Sequence, residues 1–344
     1  MDMQSPTIKD VAEQAGVSIS AVSLYLNNRP GISQETRGRI AKAIEGLGYQ
    51  PRTNGRKGKP LTAAPVRYIG LLTEKLPIYS DHFYAEVIHA IQAEAERLHY
   101  GLVLGTLDPG KPDLPRVVTE QQAAGHIVIG GGDITDDLIG RLADGGAPLL
   151  LVDNESFLQE IDSVMVDNPR GAYLATQHLI GLGHRQIAII CGPPKYKTLQ
   201  QRLHGYIAAL NDAQITLNPQ WIQESVSQGQ SRKGYLEMQR LLALENRPTA
   251  VFAVSDRSAF GALDAVREAG LAVPDDISVV GFDNVNSAAH TYPPLTTVGA
   301  DRQAMGITAL QRMHALICGE ATSPVKIIAY MHLVERQSTK SVHE

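Results

Sequence analysis

At 344 residues, with 43% hydrophobic and 19% charged side chains, the chain has a globular composition and room for two or three folding units. Its net charge of −5, taken alone, argues against a nucleic-acid partner, and no apolar run is long enough to span a membrane. The charge is unevenly spread, however. Residues 1–60 hold nine Lys/Arg and five Asp/Glu, a surplus of four positive charges, so the remainder carries a net nine negative charges. A basic N-terminal module on an acidic body is the pattern expected when phosphate contact is confined to one end.

In chain order, Thr7 is placed to cap a first helix, with Asp10 three residues on completing a capping-box-like pair. Ile8, Val11, Ala12 and Ala15 recur at helical spacing, and Gly16 stops the helix in a left-handed turn. Ser18 can cap a second helix that turns Val22 and Leu26 inward and leaves Ile19, Ser20, Ser23 and Leu24 on other faces. Ser33 caps a third, with Thr36, Ile40, Ala43, Ile44 and Leu47 inward and Gly48 at its end. Two short helices joined by a tight turn, then a third, make a helix-turn-helix, which lays one helix in the major groove of DNA. Residues 1–50 are therefore assigned to a DNA-binding head, and the Gly- and Pro-containing basic stretch 51–65 to a linker.

From Val66 onward, apolar strands such as VRYIGLLT, GLVLGT, GHIVIGG and APLLLVD alternate with helical segments, and a second round follows from SVMVD to ISVVGFD. Short apolar strands without alternation, separated by helices, predict parallel sheets covered on both faces. Two rounds predict two doubly wound lobes with a cleft at the strand C-terminal ends. The body is assigned to 66–340, one lobe at about 66–165 and 298–324 and the other at about 166–297 and 325–340. Chain exchanges are expected near Val164–Asp167, Thr296–Ala300 and Pro324.

Enzymatic signatures are missing. There is no G-x-S-x-G elbow, Walker loop or H-E-x-x-H, Gly130-Gly131-Gly132 lacks a following Lys-Ser/Thr, and the histidines show no metal spacing. No metal or cofactor is expected. His184 is expected in a turn before a strand. Cys191 and Cys318 lie far apart in apolar surroundings and read as buried, reduced thiols of a cytoplasmic protein. The polar start MDMQSPTIKD has no secretory apolar run.

TIKDVAEQAGVSISAVSLYLN and GISQETRGRIAKAIEGLGYQP in the head resemble the LacI/GalR family of bacterial transcription regulators. So do VDNPRGAYLATQHLIGLGHRQIAII, RLHGYIAAL, ISVVGFDNVNSAAHTYPPLTTV and HLVERQST in the body. The resemblance implies an all-α helix-turn-helix head on an α/β periplasmic-binding-protein-like body. It also implies a homodimer, operator DNA read as two near-palindromic half-sites, and a small-molecule effector in the cleft. The tail Thr339–Glu344 shows no leucine heptads for a tetrameric coiled coil.

By the same resemblance, Ile19 and Ser20 occupy the base-reading positions that open the recognition helix. Ser18, Ser23 and Asn27 are assigned to phosphate contact or bracing, with capping as the alternative for Ser18 and a helix end for Asn27, and Thr7 and Ala21 are counted with them among the DNA-binding residues. Leu24 stands where relatives carry a polar or basic side chain. The family's linker often reads A-R-x-L, whose leucine wedges into the minor groove. Here the register gives Gly55-Arg56-Lys57-Gly58, so DNA contact is expected through Arg56 and Lys57 without a leucine-type kink. These departures leave a ligand-binding module with a degenerate head as the competing reading, and an α/β enzyme acting on a sugar as the remoter one.

In the body, Phe83 and Tyr84 match aromatic positions that flank the ligand, one of the two being expected in the core. Asp153, Arg202, Ser255, Asp256 and Asp283 match polar effector positions. Three carboxylates and a five-donor guanidinium suit a sugar or polyol. Gly229 falls where many relatives place a stacking aromatic.

Overall fold

The computed structural model describes residues 7–26, 32–47, 49, 67–74, 82–108, 110–111, 113–130, 134–194, 196–224 and 233–342. The chain forms two compact units, Met1–Ala64 and Pro65–Glu344. The linker, including Arg56 and Lys57, lies outside the described residues, as do Asn27 and Gly229.

The head comprises α1 (Ile8–Ala15), α2 (Ile19–Leu26) and α3 (Gln34–Leu47). Val11, Ala12, Ala15, Val22, Ile40 and Ala43 form its core, with Ile44 and Leu47 packed against them. At the start of α1 the Asp10 carboxylate accepts from the Thr7 N–H at 2.6 Å and from its hydroxyl at 2.8 Å. Gly16 takes φ +62°, the left-handed conformation that ends α1 without a Cβ penalty. Arg39 of α3 then fastens this turn. Its Nη2 donates to Ala15 O at 2.6 Å and Gly16 O at 2.9 Å, so this cation, counted above toward phosphate contact, is occupied within the head. Arg39→Ala is expected to speed hydrogen–deuterium exchange of α1 and α2 amides in the full-length protein about tenfold, equivalent to about 1.4 kcal/mol. Unchanged exchange would show that the turn stands without the guanidinium.

The body begins with β1 (Arg67–Glu74), α4 (His82–Arg97), β2 (Tyr100–Leu107) and the short α5 (Arg116–Thr119), which the sequence reading did not identify. It continues with β3 (His126–Ile129), α6 (Asp136–Ala143), β4 (Leu149–Val152) and β5 (Asp162–Val166). The second lobe holds α7 (Asn168–Gly181), β6 (Ile187–Cys191), α8 (Lys197–Asp212), β7 (Ile222–Glu224), α9 (Tyr235–Leu242), β8 (Ala250–Ala253), α10 (Asp256–Glu268) and β9 (Ser278–Val280). The last elements are β10 (Thr297–Gly299), α11 (Arg302–Cys318), β11 (Lys326–Ala329) and β12 (His332–Val334).

One sheet is parallel throughout, in the order β11-β5-β4-β3-β1-β2, and the other runs β7-β6-β8-β9, also parallel. β10 and β12 pair antiparallel, and a bridge from Thr296 to Val280 attaches them to the second sheet. The chain passes from the first sheet to the second after β5 and returns to the first-sheet side after β10. The last passage comes later than Pro324. β11 pairs with β5, so the chain stays in the first lobe through Ala329 and crosses at Tyr330–Met331 rather than near Pro324.

A continuous apolar core runs through both lobes, including Ile69, Leu71, Ile127, Ile187, Ile189 and Phe252, and the two outer sheet faces have cores of their own. Cys191 is buried, which pushes its thiol up to about 12. Cys318 is exposed, contrary to the expectation of two buried thiols.

The C-terminal segment is sewn into the second lobe. Ser338 Oγ accepts from Thr296 N at 2.8 Å and donates to Val279 O at 2.6 Å. His184 lies between the turn that ends α7 and the start of β6, and it is buried, bonding Thr249 at 2.9 Å, Ser278 at 3.1 Å and Lys340 O at 3.1 Å. His178 contacts Thr339 at 3.0 Å. Burial holds both imidazoles below the ordinary histidine value. Folding therefore favours their neutral forms. That stability is present above about pH 6.5 and is lost as pH falls through and below it, because the unfolded chain takes up the protons first. A thermal midpoint that drops between about pH 7 and pH 5.5 is the expected result.

Candidate DNA-reading and effector sites

On the head, α2 presents Ile19 and Ser20 to solvent, and Ile19 is 45% exposed although it is a large aliphatic side chain. That exposed aliphatic surface is accessible to apolar contact from outside the domain. Ser18 Oγ accepts from Ala21 N at 3.2 Å, so it caps α2. The Thr7 hydroxyl is committed to Asp10. Ala21, Ser23 and Leu24 are half-buried beside this face.

In the body, each candidate effector residue follows the C-terminal end of a parallel strand or lies on the helix after it. These edges face one another. Lys197 of α8 donates to Asp136 Oδ2 at 3.0 Å, Gln201 Nε2 to Glu155 Oε1 at 3.0 Å, and Arg302 reaches loop 283–284, all between lobes.

On the first-lobe edge, Tyr84 OH donates to Asp153 Oδ2 at 2.8 Å. Asp153, the residue after β4, takes φ +57°, unusual for a residue with a Cβ. The aromatic pair divides. Phe83 packs in the core and meets Tyr84 edge to face at 5.3 Å, while Tyr84 is only partly buried against that core.

On the second-lobe edge, Arg202 is the hub. Nε donates to Asn168 Oδ1 at 2.8 Å, and Nη1 donates to Val254 O at 2.6 Å and Asp283 Oδ1 at 3.3 Å. Its guanidinium lies 3.7 Å from the centroid of Phe282, a stacked cation. Three fixed acceptors and an aromatic floor leave this side chain one orientation, with Nη2 unoccupied by any described protein group. Asp283 and Asn284 both take positive φ, +110° and +49°. Arg302 holds that strained loop through its backbone carbonyls, donating to Asn284 O at 3.0 Å and also to Asp283 O, while pairing bidentately with Glu86 of α4 at 2.9 and 3.1 Å.

Ser255 and Asp256 have different tasks. Ser255 Oγ accepts from Ser258 N at 3.2 Å, capping α10. Asp256 has no exposed surface, and its two oxygens accept from Thr297 Oγ1 at 2.5 Å and Val285 N at 2.8 Å. Burial pushes its carboxyl up to about 7, with the two hydrogen bonds opposing. It ties α10 to the loop that carries Asp283.

Sequence reasoning missed Asn168, Phe282, Glu86 and Arg302. Phe282 stands beside Asp283 in GFDN and Asn168 beside Pro169 at a helix start, so adjacency was the available signal. Glu86 and Arg302 are 216 residues apart and gave none. Among the described residues, no group of three or more His, Cys, Asp or Glu could hold a metal, and no helix is long and apolar enough to cross a membrane.

Comparison with known proteins fits this arrangement. Residues 7–52 match the family "Bacterial regulatory proteins, lacI family", and residues 176–339 match "Periplasmic binding protein-like domain". The HTH-type transcriptional repressor PurR of Mannheimia succiniciproducens is 32% identical over 339 residues, covering 98% of this chain and 99% of that protein. The PurR of Histophilus somni strain 129Pt is 32% identical over 340 residues, covering 98% and 99%. Among solved structures, the Lac repressor dimer bound to operator and the anti-inducer ONPF superposes with a TM-score of 0.69 at 28% identity, covering 98% of this chain and 100% of that one. A complex of the regulator CelR with cellobiose gives 0.71 at 28% identity, covering 97% and 99%. With a helix-turn-helix head, a two-lobed ligand-binding body and end-to-end similarity to repressors rather than enzymes, the chain belongs to the LacI/GalR family of transcriptional regulators.

Proposed function

We propose that the chain works as a homodimer on a near-palindromic operator and that a sugar or polyol bound between the lobes sets its grip on DNA. The observation carrying the effector reading is the Arg202–Asp283 pair on one lobe together with the Tyr84–Asp153 pair on the other, each at the C-terminal ends of its lobe's strands. Each couples a fixed donor to a carboxylate, the combination that pairs vicinal hydroxyls without leaving buried groups unmatched. The cellobiose complex of CelR shows a relative of this architecture with a sugar bound. A regulator from Enterococcus faecium, TM-score 0.70 at 26% identity, has been solved with ribose. Tyr84, Asp153, Arg202 and Asp283 touch the effector in this reading. Phe83, Ser255 and Asp256 shape the site from behind. The protein acts in the cytoplasm, where its operator lies.

Thermal-shift measurements with D-ribose, cellobiose and sorbitol, set against nucleobases and amino acids, test the effector class. A rise in melting midpoint with a carbohydrate supports the reading, and a rise with nucleobases or amino acids alone overturns it.

At the DNA, Ile19 and Ser20 read base edges, and Arg56 and Lys57 of the linker contact the backbone or minor groove. Ser20→Gln is expected to change the operator recovered by selection from random DNA, with each altered base pair shifting affinity by about 1–3 kcal/mol. Lys57→Ala is expected to weaken all sequences alike and flatten the salt dependence. An unchanged selected operator for Ser20→Gln would remove Ser20 from the base-reading set. Absent or salt-independent binding would favour a degenerate head.

A further inference from the structure

The first-lobe sheet has a second concavity, at the end opposite the cleft. A cavity of about 320 Å³ opens where β3 and β4 begin, walled by Val118, Ala123, Leu142 and Ala147, with Gln121 and His126 as its polar side chains. His126 is the first residue of β3 and Gly130 follows its last, so the strand separates this cavity from the cleft edge by about 13 Å.

The imidazole is oddly placed for a residue of the core. It is 2% exposed, yet Nδ1 has no hydrogen-bond partner. Buried polar atoms are almost always paired, and leaving one unpaired is costly. Nδ1 lies against the backbone of Gly70. A Cβ built there would sit 2.4 Å from Nδ1 and 3.1 Å from Cε1, so only glycine admits the ring in this position. With that edge against β1, the rest of the ring forms part of the cavity wall. Burial holds the imidazole below its ordinary value, in its neutral form. An orphaned lone pair is more tolerable in a protein interior than an orphaned N–H. This favours the tautomer in which Nδ1 is the bare nitrogen and Nε2 carries the hydrogen.

We propose that this cavity is a second small-molecule site, for a compact uncharged ligand whose carbonyl oxygen accepts from His126 Nε2 while its apolar body lies against Val118, Leu142 and Ala147. The Gln121 amide stands at the rim as a further donor and acceptor. The site adjoins the first residues of β1. Gly70 N–H donates to Gly125 O at 2.9 Å, and Ala124 N–H donates to Tyr68 O at 2.7 Å. A ligand here would thus bear on the strand into which the linker feeds, independently of the effector cleft.

The test uses full-length protein with isotope-labelled histidine, titrated with the lactam 2-pyrrolidinone and, separately, with pyrrolidine, its cationic counterpart without the carbonyl. The His126 signal is the one missing from His126→Leu. The expected result is a saturable millimolar shift of that signal with the lactam and none with pyrrolidine. The shift persists in the cleft variant Arg202→Ala and is lost in Leu142→Trp, which fills the cavity. A His126 signal that stays still under the lactam, or that moves equally in folded Leu142→Trp, overturns the proposal.

Discussion

Arg202→Ala is expected to abolish effector recognition while leaving the head intact. In the wild type one guanidinium bonds Asn168, Val254 O and Asp283 and stacks on Phe282. Alanine strands a carboxylate at a strained backbone position and removes a donor from three acceptors at once. Breaking such a buried pair from one side costs about 3–5 kcal/mol. The compound that raises the wild-type melting midpoint should then need at least about a hundredfold higher concentration to do so. Operator affinity without that compound should hold, because α1 to α3 form a separate unit. Arg202→Lys is not expected to rescue it. An ammonium is a point charge that cannot fork between Asn168 and Asp283 or lie flat on an aromatic ring. Full retention of the ligand-induced thermal shift in Arg202→Ala would remove the hub from the site.

Asp256→Ala is the second large effect, and it reaches the effector loop without touching the ligand. The substitution leaves the Val285 N–H and the Thr297 hydroxyl buried without their acceptor, a cost of about 2–4 kcal/mol. Asp256→Asn separates charge from geometry. Its amide oxygen can accept from Val285 N–H, and its NH₂ can donate to the Thr297 hydroxyl oxygen. The pH dependence distinguishes the three proteins. A carboxyl held at about 7 in the folded state favours folding when protonated. Its contribution is complete below the unfolded carboxylate value and declines as pH rises through about 7. This opposes the buried histidines, which favour neutral over acid pH. Urea titrations at about pH 6 and pH 8 should show Asp256→Asn gaining stability relative to the wild type at the higher pH, because only the wild type loses the carboxyl's contribution. A stability difference between the two proteins that is the same at both pH values would place the effect elsewhere.

Much of the architecture was legible because it rests on local rules. Gly16, Ser18 and Ser33 announce helix ends through their own conformational and hydrogen-bonding chemistry. The body strands announce themselves as apolar runs because they are buried on both faces. β11 was not legible. Its sequence, KIIA, alternates exposed and half-buried positions at a sheet edge, and only pairing with β5 places it in the first lobe. The site shows the same division. Arg202 and Asp283 could be placed by resemblance, and Asn168 and Phe282 were their sequence neighbours in space or chain. The Glu86–Arg302 pair exists only because α4 and α11 pack together, a fact of topology that no short window contains. Asp256 was read as a ligand contact because residue type and position at a strand end suited one. The structure shows instead that both its oxygens are engaged and fully buried.

The late third crossover has a consequence for biosynthesis. The edge of one sheet is closed by β11, and the other lobe is completed by β12 and the buried Ser338. Neither half of the body has all its described strands until residues 326–334 have left the ribosome. The two lobes must therefore mature together once those strands emerge, whereas the head, built from residues 8–47 around its own small core, can form while the body is still being synthesised.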